Sequence, residues 1–307
     1  MTATRTNNKV TVSLVLGSGG ARGLAHIGVI NWLEEHGFLI KAISGSSIGA
    51  LVGGFYAADK LDAYTQWVLA LNRRNVLRLL DFAFSRAGLF SGDKVMQTLE
   101  ELLGDVCIED LAISFTAVSA DIGSNKEIWL NKGSLFEAIR ASISVPTIFT
   151  PVRLNNMILV DGGLVNPIPI APTVMNTTDL TIAVNLSGED EIDWQEKNVE
   201  ETLNTNGNGY GAKISRFIDN IQGKILPTEK SEYNMYEILT RSLEMMQITI
   251  SRFKLAAYTP DYIIDIPSNA AHLLEFHRAE EMIELGYQRT EMALNGIKDK
   301  PKQNAID

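Results

Sequence analysis

The feature that most constrains the fold is Gly-Ser-Ser-Ile-Gly at residues 45–49, which fits the pattern G-x-S-x-G. An apolar run at residues 38–43 precedes it, and a run of small and apolar residues at 48–58 follows it. This context predicts a strand, a tight turn and a helix, with glycines that let the strand and the helix approach closely. Ser47 then lies on a strained turn with its hydroxyl above the sheet edge, and it is the candidate nucleophile. The structural alternative is that small residues here only permit close packing.

A glycine-rich turn lies earlier in the chain, between an apolar strand at residues 12–16 and a helical pattern at 24–36. The N–H groups of such a turn point outward and bind anions. A dinucleotide fingerprint is the competing interpretation, but Arg22 fills its third glycine position and no acidic residue ends the next strand. The turn therefore favours an oxyanion site, with Arg22 pinning the loop or adding positive potential. Its residues are Gly17, Ser18, Gly19, Gly20, Ala21, Arg22 and Gly23.

Asp161 follows a short apolar strand at residues 157–160 and precedes two glycines. A carboxylate at a strand end is a suitable partner for a nucleophile on a neighbouring strand, although an Asp-Gly turn is a common structural alternative. The glycine-rich turn, Ser47 and Asp161 each follow a predicted strand. In an open α/β sheet, that placement brings them to the same edge.

These residues suggest a mechanism in which Ser47 attacks an ester carbonyl and Asp161 accepts its proton. The oxyanion would be held by the N–H groups of Gly19, Gly20 and Ala21. A carboxylate is a weak base at its ordinary pKa of about 4. The mechanism therefore requires burial, or an apolar substrate that excludes water, to raise the pKa of Asp161.

The motifs together resemble those of the patatin-like phospholipase family. Residues 17–23 are similar to its glycine-rich oxyanion block, 45–49 to its nucleophile elbow and Asp-Gly-Gly at 161–163 to its aspartate block. Ala-Ser-Ile-Ser-Val-Pro at 141–146 also resembles the family's A-S-x-x-x-P stretch. The resemblance runs from about residue 11 to 169, and the chain looks most like the bacterial members.

The resemblance implies a three-layer α/β fold and a catalytic Ser47–Asp161 dyad without a histidine. It also implies acyl esters of lipids as substrates, either phospholipids or lysophospholipids, and a phospholipase A or lysophospholipase type of hydrolysis without a cofactor or metal. Two residues depart from the family pattern. Ser18 stands where many members have glycine, which is tolerable if its φ is ordinary, and Thr147 replaces a glycine near the expected acyl pocket.

Two other functions stay open. A Ser-Asp-His triad in the usual chain order requires a histidine after Asp161, where His272 and His277 lie. Neither is in a glycine-bearing loop after a strand, and His277 falls within a helical pattern. His26 follows the glycine-rich turn closely and is interpreted as a packing or hydrogen-bonding residue. The second alternative is a non-catalytic lipid- or protein-binding regulator, against which the intact motifs argue.

The net charge and the cysteine content limit which binding partners and which cellular location we expect. A net charge of −10 argues against nucleic acid and against electrostatic adhesion to anionic membranes, so peripheral membrane contact would have to be apolar. Cys107 is the only cysteine, which precludes an internal disulfide, and residues 1–8 are polar. We expect a cytoplasmic location. Homo-oligomerisation is left open.

The length and patterning predict one α/β domain over residues 1–307, with a mostly parallel central sheet and helices on both faces. The catalytic motifs fall within residues 11–170. Residues 187–232 are acidic and then rich in Asn and Gly, which predicts a flexible surface insertion. Residues 233–307 predict a helical C-terminal part of the same domain.

Three local predictions concern helices and a lid. One helix is expected over residues 61–80, and another from Tyr236. The apolar residues of the second helix, at three-and-four spacing, indicate a face packed in the core, and a dimer or membrane contact is the alternative. The aromatic segment at 82–90 predicts either a lid over an acyl-chain pocket or core beneath a long connection.

Overall fold

The computed structural model describes residues 9–79, 92–146, 148–191 and 235–295. The aromatic segment at 82–90, Thr147 and most of the predicted insertion lie outside these ranges. The chain divides into two compact units: Met1–Asp190 with Met246–Asp307, and Glu191–Met245. The organisation as a single domain stays a prediction.

The described part of the chain contains eight strands and eight α-helices. The strands are β1 (Thr11–Leu16), β2 (Leu39–Ser46), β3 (Ser114–Asp121), β4 (Lys126–Leu130), β5 (Val152–Leu154), β6 (Met157–Asp161), β7 (Leu180–Gly188) and β8 (Tyr262–Pro267). The helices are α1 (Ala25–Glu35), α2 (Ile48–Ala57), α3 (Leu61–Leu69), α4 (Arg73–Leu79), α5 (Asp93–Leu103), α6 (Leu135–Ser142), α7 (Met235–Ala257) and α8 (Ala279–Leu294).

The strands form one sheet in the order β5-β6-β3-β2-β1-β7-β8, with β4 also paired to β3. The pairs β3-β2, β2-β1, β1-β7 and β7-β8 are parallel, whereas β6 and β4 run antiparallel to β3. Strands β1, β3 and β7 are almost continuously buried, as strands covered by helices on both faces must be. The predicted α/β fold with a mostly parallel sheet is confirmed.

The predicted helix over residues 61–80 is wrong as a single element, because α3 ends at Leu69 and α4 begins at Arg73. The Asn72 side chain accepts a hydrogen bond of 2.9 Å from the Asn75 N–H, so it acts as a cap that starts the second helix.

Strand β5 was not predicted. It forms a hairpin with β6 through Asn155 and Asn156, both of which have positive φ. Asparagine tolerates that conformation, and two-residue hairpin turns require it at both central positions. The Asn-Asn pair was therefore the sequence signal for this hairpin.

The apolar face expected to pack α7 into the core is largely exposed. Met246 is 49% exposed and Phe253 72% exposed. The opposite face packs inward, since Ser251 is 2% exposed and Leu255 lies against the core residues Val15, Ile168, Ile170 and Ala183. Within the described ranges, no helix is long and apolar enough to cross a membrane.

Candidate active site

Ser47 occupies the strained turn that the sequence predicts. It connects β2 to α2, with φ 56° and ψ −125°. A non-glycine residue in such a region costs about 1–3 kcal/mol and persists only where the surroundings enforce it. The flanking glycines enforce it here: a Cβ at Gly45 would collide with the backbone of Gly49, and a Cβ at Gly49 with the carbonyl of Leu16. Strand and helix meet backbone to backbone.

Ser142 anchors this turn from α6. Its hydroxyl accepts a hydrogen bond of 2.9 Å from the Ser47 N–H and donates one of 2.6 Å to the carbonyl of Val118 in β3. Ser142 is fully buried. Sequence reasoning did not assign it a role, and its position in the A-S-x-x-x-P stretch was the available signal.

Asp161 ends β6 and is 2% exposed. Burial raises its pKa to about 7, although the Ser47 hydroxyl and a 2.7 Å hydrogen bond from the Gly163 N–H to Oδ1 both lower it. Among the described residues, no group makes a hydrogen bond of ordinary geometry to the buried Oδ2. Ser47 therefore lies close enough to lower the pKa of the Asp161 carboxyl group, but no hydrogen bond of ordinary geometry joins the two side chains.

Asp161 comes to Ser47 on a strand that runs antiparallel to its neighbour in the sheet. Strand β6 is antiparallel to β3, and Asp161 lies opposite Ser119. Ser46 lies opposite the preceding residue, Val118, on the other side of β3. Asp161 thus follows a strand antiparallel to β3, whereas the glycine-rich turn and Ser47 follow parallel strands, and the register still brings all three to the same edge of the sheet. Strand β3 extends past the last residue of β2, and β6 pairs with this extension. Asp161, the last residue of β6, therefore lies at the same height in the sheet as Ser47.

The glycine-rich turn has only some of its N–H groups engaged. Those of Gly17, Ser18 and Ala21 donate to the carbonyls of Val184 (3.1 Å), Pro167 (2.7 Å) and Leu273 (3.0 Å) respectively. Those of Gly19 and Gly20 donate to none of the described residues. Gly20 has φ +58°, a conformation that favours glycine. The φ of Ser18 is not positive, so the departure from glycine there brings no strain.

The remaining residues of the turn have structural contacts. Arg22 is buried and donates through Nη1 to the carbonyls of Ser268 and Ala271. It therefore holds the loop that follows β8 against the glycine-rich turn. Gly23 allows contact with Ile48 at the start of α2, because a Cβ there would collide with that side chain. The turn is thus fixed directly against the serine elbow.

An apolar cavity of about 110 Å³ opens beside Ser47 and Gly20. Its other walls come from helices and loops far apart in sequence. Prominent among them are Leu51, Tyr64, Leu99, Phe149, Leu273 and Phe276. No single stretch of sequence reveals this cavity, since its wall residues are ordinary apolar positions of several elements.

None of the four histidines, all of which the structure describes, hydrogen-bonds Asp161. His26 is buried, its Nε2 lies 2.9 Å from the carbonyl oxygen of Gly17, and burial lowers its pKa to about 4. His272 is exposed, and His277 lies in a short 3-10 turn. His26 is therefore a neutral, hydrogen-bonded packing residue. Within the described residues, no group of three or more His, Cys, Asp or Glu side chains is placed to hold a metal ion.

A mostly parallel sheet with a strained serine between strand and helix defines an α/β protein with a nucleophile elbow. The model of the patatin-like phospholipase family matches residues 14–174, slightly more than half of the chain. The chain belongs to the patatin-like phospholipase family, as its motifs predicted.

Three comparisons show how far the similarity extends. An uncharacterized NTE family protein of Mycobacterium bovis is 33% identical over 98% of this chain and 96% of its own length. Neuropathy target esterase sws of Drosophila melanogaster is 32% identical over 60% of this chain and 13% of that protein. The crystal structure of VipD from Legionella pneumophila covers 92% of this chain and 66% of that chain, with a TM-score of 0.46 and 14% identity.

Proposed function

We propose that this chain hydrolyses carboxylic acyl esters of lipids, as a phospholipase A or lysophospholipase, with Ser47 as nucleophile and Asp161 as its base. Membership of the patatin-like phospholipase family supports lipid hydrolysis in general. One observation carries the finer proposal, namely the position of Ser47. Ser47 lies on a strained turn beside an apolar cavity, next to the buried carboxyl group of Asp161, whose pKa is raised.

The reaction begins when Ser47 Oγ attacks the ester carbonyl carbon and its proton passes to Asp161. The tetrahedral intermediate then expels the alcohol, which takes that proton from Asp161 as it leaves. A water molecule attacks the acyl-enzyme, again losing its proton to Asp161, and Ser47 is regenerated as the fatty acid departs. Each step needs only one proton acceptor and donor, so a histidine is not required.

Gly19 and Gly20 are the proposed oxyanion donors. Their N–H groups are not engaged with other described residues, whereas Ala21, a third candidate from sequence, donates to the Leu273 carbonyl. Donors that are fixed before the reaction stabilise the developing charge without reorganisation. Because α2 begins directly after Ser47, the positive end of its dipole faces the same charge.

The cavity is the proposed site of the acyl chain. Its walls are apolar apart from the opening at Ser47 and Gly20, which suits a fatty acyl group with its carbonyl at the opening. Peripheral membrane contact during lipid uptake is part of the proposal, as are phospholipids and lysophospholipids as substrates.

Labelling tests the nucleophile. An organophosphonate that reacts only with activated serines should label the protein at Ser47, because Asp161 and the oxyanion donors assist its attack at phosphorus as they assist attack at carbon. Peptide mapping of the adduct by mass spectrometry identifies the serine. Preincubation with a long-chain lysophospholipid should slow labelling, and a denatured sample is the control. An inert folded protein would instead favour the non-catalytic binder.

The pH dependence tests the base. Asp161 must be ionised to accept a proton, and burial raises its pKa to about 7. We therefore expect kcat/KM for a short-chain ester to rise with pH and to level off above an apparent pKa near 7. An activity that is unchanged between pH 5 and pH 8 would contradict Asp161 as the base.

The same pKa has an opposite consequence for stability. Between about pH 4 and pH 7, the folded protein retains a proton on Asp161 that the unfolded chain has lost. The contribution of Asp161 to the free energy of unfolding must therefore fall as pH rises through this window. The active form of the site is thus its less stable form.

A further inference from the structure

One wall of the apolar cavity comes from the wall loop, residues 144–146 and 148–150 between α6 and β5. Three of its side chains, those of Val145, Ile148 and Phe149, line the cavity. Ile148 is 2% exposed and belongs to an apolar cluster against which Val145 and Phe149 pack. The shape of the cavity therefore depends on how firmly the wall loop is held.

The wall loop begins against the sheet and ends at the surface. At its start, the carbonyl of the fully buried Ser144 accepts a hydrogen bond of 3.0 Å from the N–H of Asp161 in β6. At its end, Thr150 is exposed, and the next residue is Pro151, which has no N–H to donate. The sheet thus anchors the start of the loop, and its end requires a different anchor.

Arg140, in the last turn of α6, joins the two ends of the wall loop. Its Nη1 donates to Ser144 Oγ over 2.8 Å, and its Nη2 donates to Thr150 Oγ1 over 3.1 Å and to the Thr150 carbonyl over 3.3 Å. The Ser144 hydroxyl in turn donates to the Arg140 carbonyl over 2.7 Å. Arg140 is not one of the described residues that line the cavity, so its charge holds the loop without entering the apolar space.

We propose that Arg140 is a specificity-determining residue, which fixes the wall loop and so sets how steeply activity depends on acyl-chain length. The inference rests on the proposed function. A methylene group of the substrate gains its full burial energy only where wall atoms stay in contact with it, and burying one is worth roughly fourfold in kcat/KM. A wall loop released at Thr150 would lose part of that contact at Ile148 and Phe149, so each methylene group would contribute less.

The test compares p-nitrophenyl octanoate with p-nitrophenyl butanoate, which differ only in the length of the acyl chain. Arg140→Ala should lower the ratio of kcat/KM for the octanoate to that for the butanoate by roughly fourfold to fifteenfold, equivalent to one or two methylene contacts. Arg140→Lys should lower it nearly as much, because an ammonium group cannot span both ends of the loop as the guanidinium fork does. Arg153→Ala, at an exposed arginine of β5, is the matched control and should leave the ratio unchanged.

The ratio separates this inference from the proposed function. Both esters release p-nitrophenol, so a shift of Ser47 or Asp161 affects both values of kcat/KM alike and cancels. Arg140→Lys keeps the charge and most of the side chain, so it tests the bridge even where the alanine variant does not fold. If Arg140→Lys keeps the wild-type ratio, Arg140 does not act as a bridge, while the proposed function stands.

A second measurement does not depend on catalysis. A folded wild-type protein that hydrolyses neither ester overturns the proposed function. Binding of octanoate and butanoate, measured by titration calorimetry, still reports on the wall loop in that case. Arg140→Lys should weaken the binding of octanoate relative to butanoate by a similar factor, and an unchanged relative affinity would overturn the inference.

Discussion

Replacing Ser47 with alanine should abolish ester hydrolysis, lowering kcat/KM by roughly three to six orders of magnitude. The oxyanion donors and the acyl cavity remain in this variant, but no oxygen is left to form the acyl-enzyme. The fold should tolerate the change, because the Ser47 N–H still donates to Ser142 and the backbone glycines that enforce the turn are untouched. Alanine adopts the same positive φ as Ser47, so the backbone strain is the same in the variant and in the wild type.

Ser46→Ala is the matched control. It stands one residue earlier on the same elbow, and its hydroxyl is buried without a hydrogen-bond partner among the described residues. Removing that hydroxyl breaks no bond, so both hydrolysis and the melting temperature should stay close to wild type. Hydrolysis of a short-chain ester, followed beside a thermal melt, decides the outcome. Activity that survives in a folded Ser47→Ala protein would place the nucleophile elsewhere.

The serine elbow could be predicted from sequence because its causes are local. A strand, two glycines around a serine and a small-residue helix lie consecutively, and the close backbone approach at Gly45 and Gly49 follows directly from their lack of a Cβ. The engagement of N–H groups in the glycine-rich turn could not be predicted. It depends on carbonyls of Pro167, Val184 and Leu273, which are distant in sequence and come near only in the folded chain.

The direction of β6 and the inward face of α7 show a second limit. Periodicity identifies a strand or a helix but not the direction of a strand in the sheet, and here β6 pairs antiparallel with β3. On α7 the three-and-four spacing is real, yet the face carrying Met246 and Phe253 is exposed, and the face of Ser251 and Leu255 packs inward. Polar residues on helices are expected to face solvent, so the buried Ser142 was not recognised from the sequence.

Asp161→Asn should lower kcat/KM by roughly two to four orders of magnitude and should prevent most organophosphonate labelling of Ser47. A carboxamide cannot accept the serine proton, while its oxygen can still accept the Gly163 N–H bond that holds the turn. The variant should remain folded. Above pH 7, it should unfold with a free energy equal to or greater than that of wild type, because it removes a buried charge that burial disfavours.

The histidines decide between a dyad and a triad. His272→Ala and His277→Ala, made together, should retain most hydrolysis, with a packing cost of about 1 kcal/mol in stability. A triad predicts the reverse, since loss of its histidine removes the base altogether. Short-chain ester hydrolysis by the Asp161 and histidine variants, each checked by a thermal melt, separates the two mechanisms. A folded histidine variant without activity would show that the histidine is the base and that Asp161 has been given the wrong role.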